Sequence, residues 1–144
     1  MKILLTGASS YIGSYLTRAL SSQGHQVVGT FRRTNSRTNA LSALPRVELV
    51  QIDLANDSDL LRVPTDFDAV VHNAGSFPWI DVDYSNVVCC NVLGTLNLAS
   101  WIKRIETVSR IISYSTPRLI ADHEHQDSIY RGPPNPSAFF GQDP

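Results

Sequence analysis

The feature that most constrains the fold is a small-residue turn between an apolar strand and a helix near the start of the chain. The run TGASSYIG occupies residues 6–13, between a predicted strand at 2–6 and a predicted helix at 12–23. In such a turn Gly7 permits a tight bend, and Gly13 lets the helix approach the strand closely. The free amides at the start of the helix then point at a bound anion. The run predicts a strand–turn–helix unit that binds a pyrophosphate.

Apolar runs and helical patterns alternate along the chain. Short runs rich in β-branched residues predict strands at 2–6, 26–31, 47–52, 68–72 and 109–114. Their centres are apolar rather than alternating, which predicts burial on both faces, as in a parallel sheet covered by helices. Helical patterns occupy 12–23, 36–44, 57–62 and 84–102. The first has an apolar face of Ile12, Leu16, Ala19 and Leu20 and ends near Gly24, while Asn56 or Asp57 opens the third.

The predicted helix 84–102 carries apolar residues on two sides. One set follows the helical period and consists of Tyr84, Val87, Val88, Val92, Thr95, Leu96, Ala99 and Ile102. A second side is formed by Cys89, Leu93 and Leu98. The second side indicates a subunit contact, so a homodimer through 84–102 is expected. The two cysteines, Cys89 and Cys90, are adjacent in this helix, which predicts buried thiols rather than a disulfide or a redox site.

Composition excludes several classes of partner. With 144 residues and 42% apolar residues, the chain is long enough for one domain with its own core. Its 12 basic and 13 acidic residues give a net charge of -1, so neither nucleic acid nor a membrane surface is an expected partner. The start MKILLTG lacks a signal-like segment, and no apolar run approaches the roughly 20 residues of a membrane span, which predicts a cytoplasmic protein. His-Glu-His at 123–125 is expected to be solvated, with no metal bound.

Three segments together resemble one known family. The run 6–13 is similar to a TGxxGxIG loop, with Ser10 in place of the middle glycine. VHNAG at 71–75 is similar to an HxAA or NAG segment, and CNVLGTLNL at 90–98 is similar to an NVxGTxNLL helix. These are features of the extended short-chain dehydrogenase/reductase family, in its NAD-dependent epimerase/dehydratase branch. The resemblance covers nearly the whole chain and implies a substrate that is a nucleotide sugar or a related small carbonyl or alcohol.

The resemblance also assigns residues to a bound nicotinamide dinucleotide. Around the pyrophosphate it places Gly7, Ser9, Ser10, Tyr11, Ile12 and Gly13. Beyond the fourth strand, the small residues that let the backbone pass the cofactor are Asn73, Ala74 and Gly75. Asn91 inherits a place beside the cofactor and a role in shaping the active site, although a polar residue inside a helix is by itself typical of a local hydrogen bond. His72 invites a catalytic interpretation, but the resemblance favours a structural role at the strand end.

The end of the second strand indicates which dinucleotide binds. An acidic residue that grips the adenosine ribose normally stands where this chain has Phe31, followed by Arg32 and Arg33. A carboxylate there would repel a 2′-phosphate, whereas a guanidinium binds it through forked hydrogen bonds. NADP is therefore predicted in preference to NAD, the alternative being a solvated loop of arginines. Asp53 and Leu54 match the family's pair beside the adenine, and equally fit a helix cap and a core residue.

The family's proton-transfer residues are matched only in part. The resemblance implies a Ser or Thr after the fifth strand, then a Tyr, and a Lys four residues beyond that lowers the pKa of the phenol. Thr116 stands at the first position, with Ser115 nearby, but Phe140 stands at the Tyr position and Pro144 at the Lys position. Phenylalanine has no hydroxyl and proline no charge. The usual proton-transfer machinery is thus predicted to be absent from this chain.

Together these observations predict an α/β, Rossmann-like, doubly wound parallel sheet of five strands in the order 3-2-1-4-5. The NAD(P)-binding domain is expected at 1–115 and a Pro-rich loop at 116–144, truncated before the tyrosine helix and the substrate domain. Missing helix cover is expected to expose apolar sheet surface. Three functions remain open: a piece of a hydride-transferring enzyme, a noncatalytic NADP-binding sensor or regulatory module, and a degenerate domain that binds nothing.

Overall fold

The computed structural model describes residues 1–77 and 83–114, and residues 1–113 form one compact unit. Its strands are β1 (Lys2–Thr6), β2 (Gln26–Phe31), β3 (Val47–Gln51), β4 (Ala69–His72) and β5 (Arg110–Ser113). All neighbouring strands are parallel, in the order β3-β2-β1-β4-β5. The predicted Rossmann-like sheet and its strand order are confirmed, with strand ends differing by at most one residue from those expected.

Helices connect the strands. They are α1 (Tyr11–Ser22), α2 (Ser36–Ser42), a 3-10 helix (Asp57–Arg62), α3 (Tyr84–Val88), a π segment (Cys89–Leu93) and α4 (Gly94–Ile102). Gly24 follows α1 with a φ of 86°, the left-handed conformation of a helix C-terminus. The third helix is a 3-10 helix over six residues rather than an α-helix. Among the described residues no helix has the length and apolarity to cross a membrane.

The core lies on both faces of the sheet. Successive side chains of a strand point to opposite faces, so Leu4 of β1 joins one cluster while Ile3 and Leu5 join the other. β1, β2 and β4 are mostly buried, as the apolar strand centres predicted. Both edge strands depart from that prediction: no residue of β3 is fully buried, and on β5 Ile111 is 56% and Ile112 45% exposed. Among the described residues, helices therefore cover the middle of the sheet more fully than its edges.

The buried face of α1 differs from the predicted one. Its buried residues are small, namely Gly13, Ser14, Thr17 and Ser21. Of the four apolar residues at helical spacing, Leu16 and Leu20 are partly buried against the core, whereas Ile12 and Ala19 are exposed. The reason is close approach to the backbone, since a β-carbon on Gly13 would lie 2.1 Å from the carbonyl oxygen of Gly7. A helix this near the turn has no room for large side chains on its inner face.

The predicted helix 84–102 is interrupted by the π segment. Leu98 lies in the core with Trp101, because it stands eleven positions, about three helical turns, after the buried Val87. Val92 and Leu96, which the sequence placed in the first set, are exposed. The predicted burial of both thiols is also wrong, because Cys89 is exposed and Cys90 only partly buried.

Candidate functional site

The turn between β1 and α1 lies at the carboxyl ends of the strands and is closed by backbone contacts. Gly7 has a φ of 69°, which favours glycine, and the Ser10 amide donates to its carbonyl oxygen at 3.0 Å. A β-carbon on Gly7 would lie 2.8 Å from Cα of Ala74, in the segment after β4. The turn is thus wedged between the start of α1 and that segment, with space for backbone alone.

Ser10 links three parts of this turn. It is the N-cap of α1, and its Oγ accepts the Gly13 amide at 3.0 Å. The same Oγ accepts Nδ2 of Asn73 at 2.9 Å, and Asn73 also donates to the Gly7 carbonyl at 3.3 Å. Because both lone pairs of the hydroxyl are occupied, its proton is what Ser10 presents to a ligand. At the middle-glycine position, serine therefore rigidifies the turn and adds a donor to it.

The arginines after β2 stand beside this turn. Arg32 is half-buried and Arg33 exposed, and neither forms an ion pair with a described residue. Gln51 Nε2 donates to the Arg32 carbonyl at 3.1 Å. Asn35 caps α2 and reaches the Ser9 carbonyl with Nδ2 at 3.4 Å, which ties the arginine loop to the turn. Two uncompensated guanidinium groups at this place favour an anionic ligand group.

Asp53 and Leu54 follow β3 and adopt local structural roles. Leu54 is 7% exposed and belongs to the core. The Asp53 carboxylate accepts the Ala55 amide at 3.0 Å, which closes a tight turn. A β-carbon on Gly94 would lie 3.0 Å from Cβ of Leu54, so the glycine permits close packing of α4. Asn97 Nδ2 donates to the Leu54 carbonyl at 2.9 Å and fixes the same junction.

His72 ends β4 with both ring nitrogens hydrogen-bonded. Nδ1 lies 2.8 Å from Oγ1 of Thr6, and Nε2 lies 3.0 Å from Oγ1 of Thr95. The residue is 9% exposed, and this burial lowers the pKa of His72 below its ordinary value. A ring held on both sides fits the structural role that the sequence favoured.

Asn91 lies in the π segment and holds the segment after β4. Its Oδ1 accepts the Ser76 amide and its Nδ2 donates to the Ser76 carbonyl, both at 2.8 Å. Sequence reasoning singled out Asn91, but it missed the partners Thr6, Ser76 and Thr95. The sequence did contain a signal for Thr95, because this residue stands four positions after Asn91 and therefore on the same helix face.

The structure brings the predicted residues of the turn, the arginine loop and the segment after β4 to one edge of the sheet. Tyr11 and Ile12 open α1 at this edge and are exposed by 66% and 53%. At Gly75 a β-carbon would meet Oδ1 of Asn91 at 3.5 Å, an ordinary contact, and no other atom of the described residues within 4 Å. Ser115, Thr116, Phe140 and Pro144 lie outside the described residues, as does the run 123–125.

Comparison with known proteins places the chain among relatives of greater length. It is 32% identical over 120 residues to 2-alkyl-3-oxoalkanoate reductase of Stenotrophomonas maltophilia, covering 83% of this chain and 34% of that protein. It is 30% identical over 138 residues to CDP-paratose 2-epimerase of Salmonella typhi, covering 86% of this chain and 39% of that one. The chain thus spans little more than a third of either relative.

A solved structure and a family model agree with these relatives. The Bordetella bronchiseptica enzyme WbmH, solved in complex with NAD+, superposes with a TM-score of 0.65 at 29% identity, over 76% of this chain and 37% of WbmH. The sequence model of the NAD dependent epimerase/dehydratase family matches residues 3–142, nearly the whole chain. The chain therefore belongs to the NAD-dependent epimerase/dehydratase family.

Proposed function

We propose that the chain is a nicotinamide dinucleotide-binding domain that prefers NADP to NAD. The observation that carries this proposal is the turn after β1, where only backbone fits around Gly7 and Gly13 and where the Ser10 hydroxyl proton remains available. Family membership and the NAD+ complex of WbmH support a dinucleotide. The preference for NADP rests on Arg32 and Arg33, which lack ion-pair partners among the described residues.

Different residues of the site bind different parts of the dinucleotide. The turn from Gly7 to Gly13, with Ser9, Ser10, Tyr11 and Ile12, receives the pyrophosphate through backbone amides and the Ser10 hydroxyl. Arg32 and Arg33 bind the 2′-phosphate. Asp53 and Leu54 border the adenine, and the segment 73–75 with Asn91 borders the nicotinamide end. When bound, the cofactor accepts or donates a hydride.

The proposed substrate class is a nucleotide sugar or a related small carbonyl or alcohol. The names of the two curated relatives include a nucleotide-sugar epimerase and an oxoalkanoate reductase, and both fit this class. In this scheme Thr116 hydrogen-bonds the substrate and Asn91 shapes the site. Phe140 and Pro144 supply neither a phenol nor an ammonium, so proton transfer is incomplete in this chain. The presence of Phe140 and Pro144 at these positions favours a second candidate function, a noncatalytic NADP sensor or regulatory module.

A thermal-shift titration of the whole chain tests cofactor binding. A ligand that binds only the folded state stabilises it by about 2.7 kcal/mol at 100 times its dissociation constant. We expect NADP and NADPH to raise the melting temperature more than NAD and NADH do at equal concentration. A cooperative melt that none of the four dinucleotides shifts would show that the site binds no nicotinamide cofactor, and the proposal would fail.

We also propose a homodimer through residues 84–102. Large apolar side chains are exposed along this stretch, with Tyr84 at 69%, Val92 at 54% and Leu96 at 59%. A run of exposed apolar residues on adjacent helical turns is typical of an interaction surface.

Charge on this surface is expected to dissociate the dimer. Leu96→Lys places an ammonium in an apolar interface, where it loses solvation without a partner, so the sedimentation coefficient falls to that of a monomer. Leu61→Lys is the matched control, because Leu61 is 79% exposed but belongs to the 3-10 helix rather than to 84–102. Wild-type chain that sediments as a monomer at tens of micromolar, or equal loss of the dimer in both variants, contradicts the proposed interface.

A further inference from the structure

A chain of hydrogen bonds connects the turn between β1 and α1, residues 6–13, here named the phosphate turn, with the π segment. The donor and the acceptor of each bond in this chain can be assigned. Oγ1 of Thr6 accepts the amides of Asn73 at 3.2 Å and Ala74 at 3.1 Å. A hydroxyl has two lone pairs and one proton, so the Thr6 proton is donated to Nδ1 of His72. The ring proton therefore lies on Nε2 and is donated to Thr95. Thr95 in turn donates to the carbonyl oxygen of Asn91 at 2.7 Å.

We propose that His72, as the neutral Nε2–H tautomer, is a positioning residue that holds the segment Asn73–Ser76 against the phosphate turn. The segment has an anchor at each end. Thr6 holds the amides at its start, and the side-chain amide of Asn91 holds both backbone groups of Ser76 at its end. His72 joins the two anchors, because its ring bridges Thr6 and Thr95.

Movement of the segment 73–76 would also displace the phosphate turn. Cα of Ala74 lies 2.8 Å from where a β-carbon of Gly7 would stand, so the two backbones are in close contact. Asn73 adds direct hydrogen bonds to Ser10 and to the Gly7 carbonyl. A role in dinucleotide binding rests on the proposed function, whereas the hydrogen-bond chain is a property of the protein without ligand.

Protonation of His72 is incompatible with this arrangement. A proton on Nδ1 would face Oγ1 of Thr6, whose lone pairs already accept two amides, so one amide must be released. Among the described residues, the ring is hydrogen-bonded to Thr6 of β1 and Thr95 of α4 and stands in register with Ser113 of β5, and none of the three is charged. Burial alone lowers the pKa of the ring.

The sign of the pH dependence follows from that lowered pKa. The unfolded chain takes up a proton on this histidine near pH 6.5, its ordinary pKa, while the folded chain does so only at a lower pH. Stability is therefore full above about pH 6.5 and declines as the pH falls towards the pKa of the folded state. The same protonation releases an anchor of the segment 73–76.

Nuclear magnetic resonance of the full chain tests the proposal without a cofactor. Nitrogen-15 shifts of His72 at neutral pH are expected to show a protonated Nε2 and an unprotonated Nδ1. Thr95→Val removes the acceptor for Nε2 while keeping the side-chain shape, and exchange of the Ser76 amide with solvent is expected to become about five- to tenfold faster. Thr95→Ser retains the hydroxyl and is expected to keep wild-type exchange. Thr107→Val, which removes a surface hydroxyl bonded to Thr65, is the matched control.

His72→Asn provides an independent variant. Its shorter side chain keeps an acceptor near the position of Nδ1 but no longer reaches Thr95, so it should reproduce the effect of Thr95→Val on Ser76. In wild type, the protection factor of the Ser76 amide, its exchange rate relative to the intrinsic rate at the same pH, is expected to fall in step with protonation of His72, and both variants lose this dependence on pH. Two results would overturn the proposal: an Nδ1–H tautomer of His72 at neutral pH, or equal exchange rates of the Ser76 amide in Thr95→Val and Thr95→Ser.

Dinucleotide titration separates this inference from the proposed function. If wild type binds NADP, the affinity of Thr95→Val is expected to fall about fivefold while Thr95→Ser retains it. Equal affinity of both variants would overturn the positioning role in binding. If wild type binds no dinucleotide, the proposed function fails, and the tautomer and exchange measurements still decide whether His72 positions the segment.

Discussion

Gly13→Ala is expected to abolish dinucleotide binding and to destabilise the fold by more than any other single methyl group added to the turn. The new β-carbon would lie 2.1 Å from the carbonyl oxygen of Gly7, 2.9 Å from its carbonyl carbon and 3.0 Å from Cα of Ala8. All three neighbours are backbone atoms, so no side-chain rotation relieves the clash. Helix α1 must move away from the sheet, which reshapes the turn and separates its amides from the pyrophosphate.

Chemical denaturation and a dinucleotide titration measure the two effects. Overpacking of this kind costs about 1–3 kcal/mol or more in the free energy of unfolding. Gly24→Ala is the matched control at the other end of α1, because a β-carbon there meets nothing within 4 Å and strains only a left-handed residue at φ 86°. That control is expected to lose about 1–2 kcal/mol and to keep wild-type dinucleotide affinity. Wild-type stability and affinity in Gly13→Ala would contradict the close packing of α1 against the backbone of Gly7 and Ala8.

The turn and the strand order were predictable because both depend on short stretches of sequence. Gly7 and Gly13 stand where a strand–turn–helix unit needs residues without a β-carbon, and the structure confirms both close approaches. Apolar runs of strand length separated by helical patterns leave few topologies for a parallel sheet. The five strands accordingly fall within one residue of their predicted ends.

The faces of the helices were harder to predict than the strands. Ile12, Leu16, Ala19 and Leu20 share a helical spacing, but α1 approaches the turn so closely that it buries Gly13 and Thr17 instead. In the stretch 84–102 Leu98 lies about three turns after the buried Val87, whereas Leu96 lies half a turn away from that face. Apolar residues stand on several sides of this stretch, so the apolar pattern alone does not identify the buried side.

The hydrogen bonds of the site depend on contacts between distant residues. His72 meets Thr6 across 66 positions and Thr95 across 23, and neither pair forms a recognisable local motif. Sequence reasoning identified His72 and Asn91 singly but not as members of one connected arrangement. Only the pairing of β1 with β4 and the packing of the helix 94–102 bring these side chains together.

Replacing both Arg32 and Arg33 by alanine is expected to weaken NADP binding about a hundredfold and to leave NAD binding unchanged. A hydrogen bond to a charged group contributes about 1.5–3 kcal/mol, which corresponds to about tenfold or more in affinity for each arginine. Each single variant should therefore lose about tenfold. Calorimetric titration of wild type and the double variant with NADP and NAD gives the four dissociation constants that the main comparison needs.

Arg104→Ala controls for the change in net charge. Arg104 is exposed and lies between α4 and β5, near the amino ends of the strands and opposite the proposed site. Its loss lowers the positive charge by the same amount as a single site variant but is expected to leave both affinities at their wild-type values. Any long-range electrostatic attraction of the phosphates would appear in this control as a uniform loss, reduced further by added salt.

The ratio of the NADP affinity to the NAD affinity separates the contribution of Arg32 and Arg33 from that of the rest of the site. NADP and NAD share the pyrophosphate, both bases and both ribose rings, and differ only in the 2′-phosphate, so contributions of the turn and of the segment 73–75 cancel in the ratio. A loss confined to NADP assigns the guanidinium groups to that phosphate. Equal losses for NADP and NAD would instead assign them to the shape of the loop that Asn35 ties to Ser9. The preference for NADP would then have no basis in these two residues.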